Sequence, residues 1–427
     1  MKQLSFFTFL LFVCQCTIAQ VPSLLLLQAD SVPEDRLLMT MGARLEFGST
    51  VFDNAFLGKF VLGGNISDQS IDNISSRLSD VNHAGFNALA GLAVYSFEDS
   101  VFGVSNLGLS AGFSTMYDGQ LSISRDAFDL IFKGNEMFRG GEAELSPTYF
   151  QNLAFQKFGL GVFDKNDYSG IMISLVNGQQ LQRFELDESR LFTSAMGDSL
   201  HLSYTGEFAG SDTSRTGFGV LTGVGVALDA NINLPMPDNR GFISLSFENM
   251  GFISWLNGFE TYRFDSSATW TGINANGIFD FNTDTLGFDQ LRDTIHTVRT
   301  VESRTTGLPS RVKLNFLRRT GERDYYEAGV ILQPNRSSIP LLHAGYTAGL
   351  GKSHFITLRA LFGGYQYFRM GWQYQALVRN SWYVSVGMDN WPGVFSGHAQ
   401  GMSGSFSVAK YFGKSRVDHR DAMETMN

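Results

Sequence analysis

Between residues 86 and 412 the chain alternates, in segments of about 8–12 residues, between apolar side chains and small or polar ones. Ile356, Leu358, Ala360 and Phe362 share one parity, with Thr357 and Arg359 on the other. Phe368, Met370, Trp372, Tyr374 and Ala376 alternate with Tyr367, Arg369, Gly371, Gln373 and Gln375. Trp382, Val384, Val386 and Met388 then alternate with Tyr383, Ser385, Gly387 and Asp389. A period of two is the pattern of a pleated strand with two unlike faces, and a helix cannot produce it. Earlier segments repeat it, as in Leu107–Ser114, Val220–Asp229, Ile243–Glu248 and Val312–Phe316. About 14 such segments can be counted, within a range of 12–16, separated by turn clusters such as Asp164–Asp167 and Pro235–Asn239. After residue 20 no apolar run approaches the roughly 18–20 residues of a spanning helix.

Composition narrows the class. Hydrophobic residues make up 43% of the 427, which is enough for a core. Charged residues make up only 17%, against about 25% in ordinary soluble domains. The formal net charge of -9 lacks the basic footprint that phosphate neutralisation demands, so no nucleic-acid partner is expected. Residues 1–19 read as an export signal: Lys2, an apolar stretch from Leu4 to Val13, and a small-residue processing site ending at Ala19. Both cysteines, Cys14 and Cys16, fall inside it, preceded by Val13 and Gln15 rather than by a lipidation motif. Thiol chemistry and cysteine-bound zinc are thereby removed from consideration.

An exported, cysteine-free chain of two-faced strands fits a barrel whose apolar face meets lipid and whose other face lines a lumen. Aromatic doublets near segment ends (Tyr365, Tyr367 and Phe368; Trp382 and Tyr383; Tyr411 and Phe412) suggest interfacial girdles. The segment Gly404–Phe412 reads as a terminal strand for the barrel-insertion machinery. Lys410 on its outward parity is tolerable only where its ammonium reaches water. The expectation is therefore an all-β fold, a transmembrane antiparallel β-barrel of about 14 strands, in the outer membrane of a Gram-negative bacterium. Its expected divisions are a signal peptide (1–19), an N-terminal segment acting as a plug (20–85), the barrel (86–412) and a polar tail (413–427). Two helices are expected: Ser67–Val81, with Ile71, Ile74 and Leu78 on one side, and Asp126–Phe138, grouping Phe128, Ile131 and Phe132. Segments 178–215 and 257–310 are polar and read as long loops with strands projecting beyond the barrel.

The N-terminal half resembles a Bacteroidota-type family of outer-membrane barrels with no assigned function. The likeness rests on Ser67–Val81, the strand run to Tyr117, Phe132-Lys-Gly-Asn135 with Gly140-Gly141, and Tyr149–Gly161. Such proteins are distantly similar to the FadL fatty-acid channel, which implies a 14-stranded barrel with an N-terminal plug. The resemblance implies fold and location and carries no catalytic residue.

Motifs for chemistry are wanting. Gly351-Lys352-Ser353 lacks the phosphate-loop glycine, because Tyr346 occupies that position. The seven histidines show no metal-ligand spacing, no G-x-S-x-G elbow exists, and Asp72–Asp80 lacks calcium-loop spacing. Neither an enzyme nor a cofactor is expected. Candidate lumen-lining residues are Glu248, Lys313, Arg359, Arg369, Gln373 and Asp389, read either as a selectivity field or, more simply, as charges pairing across a wet lumen. The functional expectation is passive transport of a small hydrophobic solute. The rival is a structural or docking barrel for a secretion or gliding machine, with 178–215 and 257–310 as its docking surfaces. An open lumen would favour the first and a filled interior with ordered projections the second.

Overall fold

The computed structural model describes residues 37–412 apart from 99, 213–219, 239, 257, 272–296, 352 and 379–381. The signal segment and the polar tail lie outside the described residues. The first strands are β1 (Leu37–Ser49), β2 (Val81–Ser96), β3 (Leu107–Ser124), β4 (Gly141–Glu144), β5 (Thr148–Asp164) and β6 (Gly170–Thr193). Then come β7 (Ser199–Gly210), β8 (Gly223–Pro235), β9 (Gly241–Trp255), β10 (Glu260–Thr271), β11 (Thr297–Val301) and β12 (Arg304–Gly307). The last seven are β13 (Arg311–Arg319), β14 (Tyr325–Leu332), β15 (Ile339–Gly349), β16 (His354–Gly364), β17 (Gln366–Val378), β18 (Trp382–Met388) and β19 (Gly401–Phe412).

Fourteen of these make a closed wall. In circular order they are β1, β2, β3, β5, β6, β8, β9 and β13 to β19, each antiparallel to the next. The circle closes where β1 meets β19, in register from Leu37↔Phe412 to Gly48↔Gly401. No wall strand is left with an unpaired edge, which is the condition for a sheet to sit in hydrocarbon. β1 starts and β19 ends at one rim, here the terminal rim, with short turns such as Thr320–Asp324. The long connections emerge at the opposite, loop rim.

The outer surface is apolar at mid-height. Leu160 (73% exposed) and Leu175 (70%) point outward with Leu314, Leu342, Leu358, Phe368 and Met370. A continuous apolar band of this kind in water would drive aggregation; in a bilayer it meets acyl chains. Toward the terminal rim the exposed rings of Tyr326 and Tyr346 pair at 5.1 Å, and Trp382 and Phe412 join them on the outside. The Lys410 ammonium lies over both neighbouring rings, 4.5 Å from the Trp382 centroid and 4.7 Å from that of Phe412. Its charge is thus held in the aromatic belt rather than in the apolar band. Such contacts contribute about 0.5–1 kcal/mol at exposed sites. Lys410→Met should therefore change unfolding free energy in vesicles by no more than about 1 kcal/mol, and a larger loss would mean that the lysine has another partner.

The aromatic doublets do not all belong to this belt. Tyr365, Tyr383 and Tyr411 turn inward, Tyr365 and Tyr383 being fully buried. The pleat explains Tyr383 and Tyr411, since consecutive strand residues face opposite sides. Tyr365 instead turns inward from the β16–β17 connection, and Tyr367, whose parity predicted the lumen, faces out beside Phe368.

Residues 37–85 depart from the expected plug. Leu37–Ser49 is a wall strand, and β2 begins at Val81, before the expected barrel boundary at 86. Between them lie α1 (Asn54–Leu62) and α2 (Asp68–Ser75), and α3 (Arg125–Lys133) follows β3. α2 covers the first half of the expected 67–81 helix, with the Ser67 Oγ accepting from the Ser70 N–H at its N-cap. α3 starts one residue before the expected Asp126 and gives way after Lys133 to a short 3-10 turn, Glu136–Phe138. Ile71, Ile74 and Leu78 are buried against Phe52, Phe56 and Phe128, while Ile131 is exposed rather than grouped with Phe128. The three helices form an apolar cap seated on the loop rim above β2, β3 and β5.

Beyond the loop rim the wall continues as a ribbon. β6 runs on from Gln182 to Thr193 against β7, β7 pairs with β10, and β10 with β11. β4 flanks the far end of β6, and β12 pairs with the last residues of β9. The segments expected as polar loops with projecting strands are largely this ordered sheet, with 213–219, 257 and 272–296 outside the described residues.

Candidate functional site: the barrel lumen

The lumen has three levels. At the terminal rim Tyr95, Phe163, Phe242, Tyr325, Phe355 and Tyr383 converge with Leu38, Leu317 and Ala409, so that nine of the fourteen wall strands contribute a buried residue. Tyr168 adds a ring from the β5–β6 turn, stacked on Phe163 at 6.1 Å, and Phe97 meets Phe163 edge-on at 5.2 Å. This aromatic layer seals the terminal end by packing, since the inward parity of each strand places its last large side chain at one height.

Above it lies a chamber of about 370 Å³, whose lining sets six arginines and lysines and five carboxylates among apolar side chains such as Phe247, Ile331 and Leu361. The charges project inward from the wall, and most of their pairs span at least one intervening strand. The Lys157 ammonium lies 2.7 Å from Asp229, and that of Lys313 lies 2.5 Å from Glu248. The Arg359 guanidinium bonds the Glu327 carboxylate and donates to the Gln373 side-chain oxygen at 2.6 Å. Its other side is 3.8 Å from Asp389. Arg369 reaches Glu46 on β1 at 2.9 Å, which it can do because β18 stops at Met388 and leaves the path clear.

The third level is a strap. Residues 333–338, between β14 and β15, fold inward and cross to the far wall. The Ser337 hydroxyl donates to the Leu121 carbonyl at 3.2 Å and meets the Ser122 hydroxyl at 3.4 Å, both on β3. Arg336 bonds Glu185 on β6 and lies 4.9 Å over the Tyr149 ring. On the near side Tyr365 anchors the strap, its hydroxyl accepting from the side-chain amides of Gln333 at 3.1 Å and Asn335 at 3.5 Å. The Tyr365 ring lies against the bare backbone of Gly85, where a Cβ would overlap it. The helical cap covers the rim beside the strap.

The structure thus brings Glu248, Lys313, Arg359, Arg369 and Asp389 into one chamber lining, with Gln373 bonded to Arg359 beside it. They form cross-strand ion pairs rather than a ring of one sign. Sequence reading missed Arg44, Glu46, Lys157, Asp229, Arg311 and Glu327, which complete the charged lining. Their inward parity was readable within their own strands, and Glu46 was hidden by assigning β1 to a plug. The strap residues looked like an ordinary polar turn. Among the described residues no cluster of His, Cys, Asp and Glu is arranged to hold a metal ion.

A closed wall with a lipid-facing apolar band and an internal polar layer defines a transmembrane β-barrel of the outer-membrane type. The chain belongs to the family of unknown function DUF5723, whose model matches residues 40–389. No curated protein matches it. Among solved structures it is similar to the TodX deltaS2S3 mutant monoaromatic hydrocarbon channel, at 9% identity and a TM-score of 0.44, covering 91% of this chain and 92% of that one. It is also similar to the Pseudomonas putida toluene transporter TodX, at 7% identity and a TM-score of 0.41, with 89% of each chain covered. A third is the translocator domain of the autotransporter NalP from Neisseria meningitidis, at 10% identity and a TM-score of 0.31, with 88% of each covered.

Proposed function

We propose that this protein is a closed barrel of the Gram-negative outer membrane that serves a cell-surface assembly as a structural or docking element. The observation that carries this reading is the obstructed lumen: an aromatic layer at one end, a strap and helical cap at the other, and a chamber of about 370 Å³ between them. Fourteen strands enclose more space than the eight that side chains alone can fill. Here aromatic rings and a folded-in loop occupy it, while the β6–β7–β10 ribbon stands ordered beyond the loop rim. With the termini on the inner side, as is usual for such barrels, the ribbon faces outward. Membrane lipid and the barrel-insertion machinery are the partners the band and the terminal strand call for. The surface-machine partner would bind the ribbon, whose β6–β7 tip carries Met196 at 84% exposure.

The chamber favours a second reading, passage of a small solute after release of the strap. Its lining of charged and apolar side chains suits an amphipathic solute.

Conductance separates the two. Deleting residues 20–82 would remove β1, so the informative variant joins Ser49 to Val81 through a short turn and removes α1 and α2 of the cap, leaving the wall intact. Intact and cap-deleted barrels, both shown to be folded by heat-modifiable gel mobility, should carry no steady current in planar bilayers. A current through either would overturn the closed-barrel reading. A photo-crosslinker at Met196 should yield one discrete adduct in cells, and its absence would remove the docking role.

A further inference from the structure

The ion pairs of the chamber are unevenly distributed. Lys157, Lys313 and Arg359 each face a carboxylate of their own, whereas two of the three remaining guanidinium groups share one. Among the described residues the only carboxylate paired with Arg369 or Arg44 is Glu46, 2.9 Å from the former and 3.8 Å from the latter. Arg311 stands across from Glu248 in the β9–β13 register, but among the described residues no carboxylate lies within ion-pair distance of it; its Nε donates to the Gln333 side-chain oxygen at 3.0 Å. Both Arg311 (3% exposed) and Arg369 (4%) are buried, and both line the chamber. The Nε and Nη1 of Arg369 and the Nε of Arg44 have no acceptor within the protein. Asp118 forms an ion pair with none of the three: it lies outside the lining, and its oxygens accept from the amides of Asn87 at 3.2 Å and Gln120 at 2.8 Å.

We propose that the chamber is a binding site for a small organic anion bearing a carboxylate, held by Arg311, Arg369 and Arg44. A buried guanidinium left without a counter-charge is costly, and a planar two-oxygen acceptor matches its fork of N–H donors. Water can fill the hydrogen bonds but supplies no charge. A chamber of about 370 Å³ has room for a small organic molecule, and its arginines favour an anionic end. Arg311 and Arg369 also meet the strap and its anchor. Arg311 bonds Gln333, which bonds Tyr365, and Arg369 packs on Gly364, whose left-handed backbone (φ 75°) turns the β16–β17 hairpin inward. Binding is independent of whether the barrel conducts.

The test uses the mature chain refolded into detergent micelles with succinate present, so that closure does not exclude the probe. Succinate should raise the thermal midpoint in a saturable manner, and calorimetry should show at least tenfold weaker binding in Arg311→Met. Arg311→Lys, which keeps the charge and loses the fork, should fall between, and Arg240→Met on a terminal-rim turn should match the parent. If Arg311→Met fails to fold, the lysine variant decides on its own. No saturable effect of succinate, or equal affinity in the folded Arg311 variants, overturns the proposal. Binding of inorganic phosphate with none of succinate overturns the carboxylate assignment.

Discussion

Met370→Arg is expected to cost about 2–4 kcal/mol of unfolding free energy in lipid vesicles, the loss that a cation suffers at the midplane of a barrel's outer face. Met370 is 49% exposed and lies on β17 opposite Ala360, within the apolar band. The control is an inward neighbour on the same strand. Gln373 accepts from Arg359 and donates to the Ser385 hydroxyl at 2.6 Å. Gln373→Glu should therefore be tolerated, because the new carboxylate faces an existing guanidinium. Gln373→Arg would instead crowd Arg359 and test charge repulsion rather than register. Similar losses in Met370→Arg and Gln373→Glu, measured by chemical denaturation, would show that the two faces of β17 are misassigned.

Tyr365→Ala carries the other large expectation, a loss of about 3–5 kcal/mol, in the range of aromatic truncations in packed cores. Its side chain is 1% exposed, fills the hollow over Gly85 and holds the strap through Gln333 and Asn335. Gly85→Leu should produce a comparable loss from the opposite direction, since the added side chain occupies the ring's place. Urea unfolding of both variants gives the answer. A loss below about 1 kcal/mol in each would mean that the strap is held without Tyr365.

The strands were legible because a membrane barrel writes its two environments into alternate residues. The parity read for Phe368–Gln375 and for Trp382–Asp389 is the parity the wall displays. β1 carries the same signal, with Thr40, Gly42, Arg44 and Glu46 alternating against Met39, Met41, Ala43 and Leu45. It was misread because helices α1 and α2 follow it, and helical residues near an N-terminus suggest a plug. What alternation cannot convey is height along the barrel axis. Tyr95, Phe163, Phe242, Tyr325, Phe355 and Tyr383 come from distant segments and meet at one level only once fourteen registers are fixed. The same holds for the strap, whose partners Leu121, Ser122 and Glu185 lie some 150–215 positions away in sequence.

The seam between β1 and β19 has a consequence for how the molecule is made. Its twelve matched positions, Leu37↔Phe412 through Gly48↔Gly401, join segments that leave the ribosome at opposite ends of synthesis. Every other wall contact can form between segments closer together along the chain, whereas this one must wait for the last strand. Closing so long a loop adds little to the equilibrium cost, which grows only with the logarithm of length, but contacts this distant slow the search. Throughout that wait β1 exposes one edge of unpaired amides and carbonyls, a template for any passing strand. A chain built in this way requires an escort that shields its first strand until its last arrives.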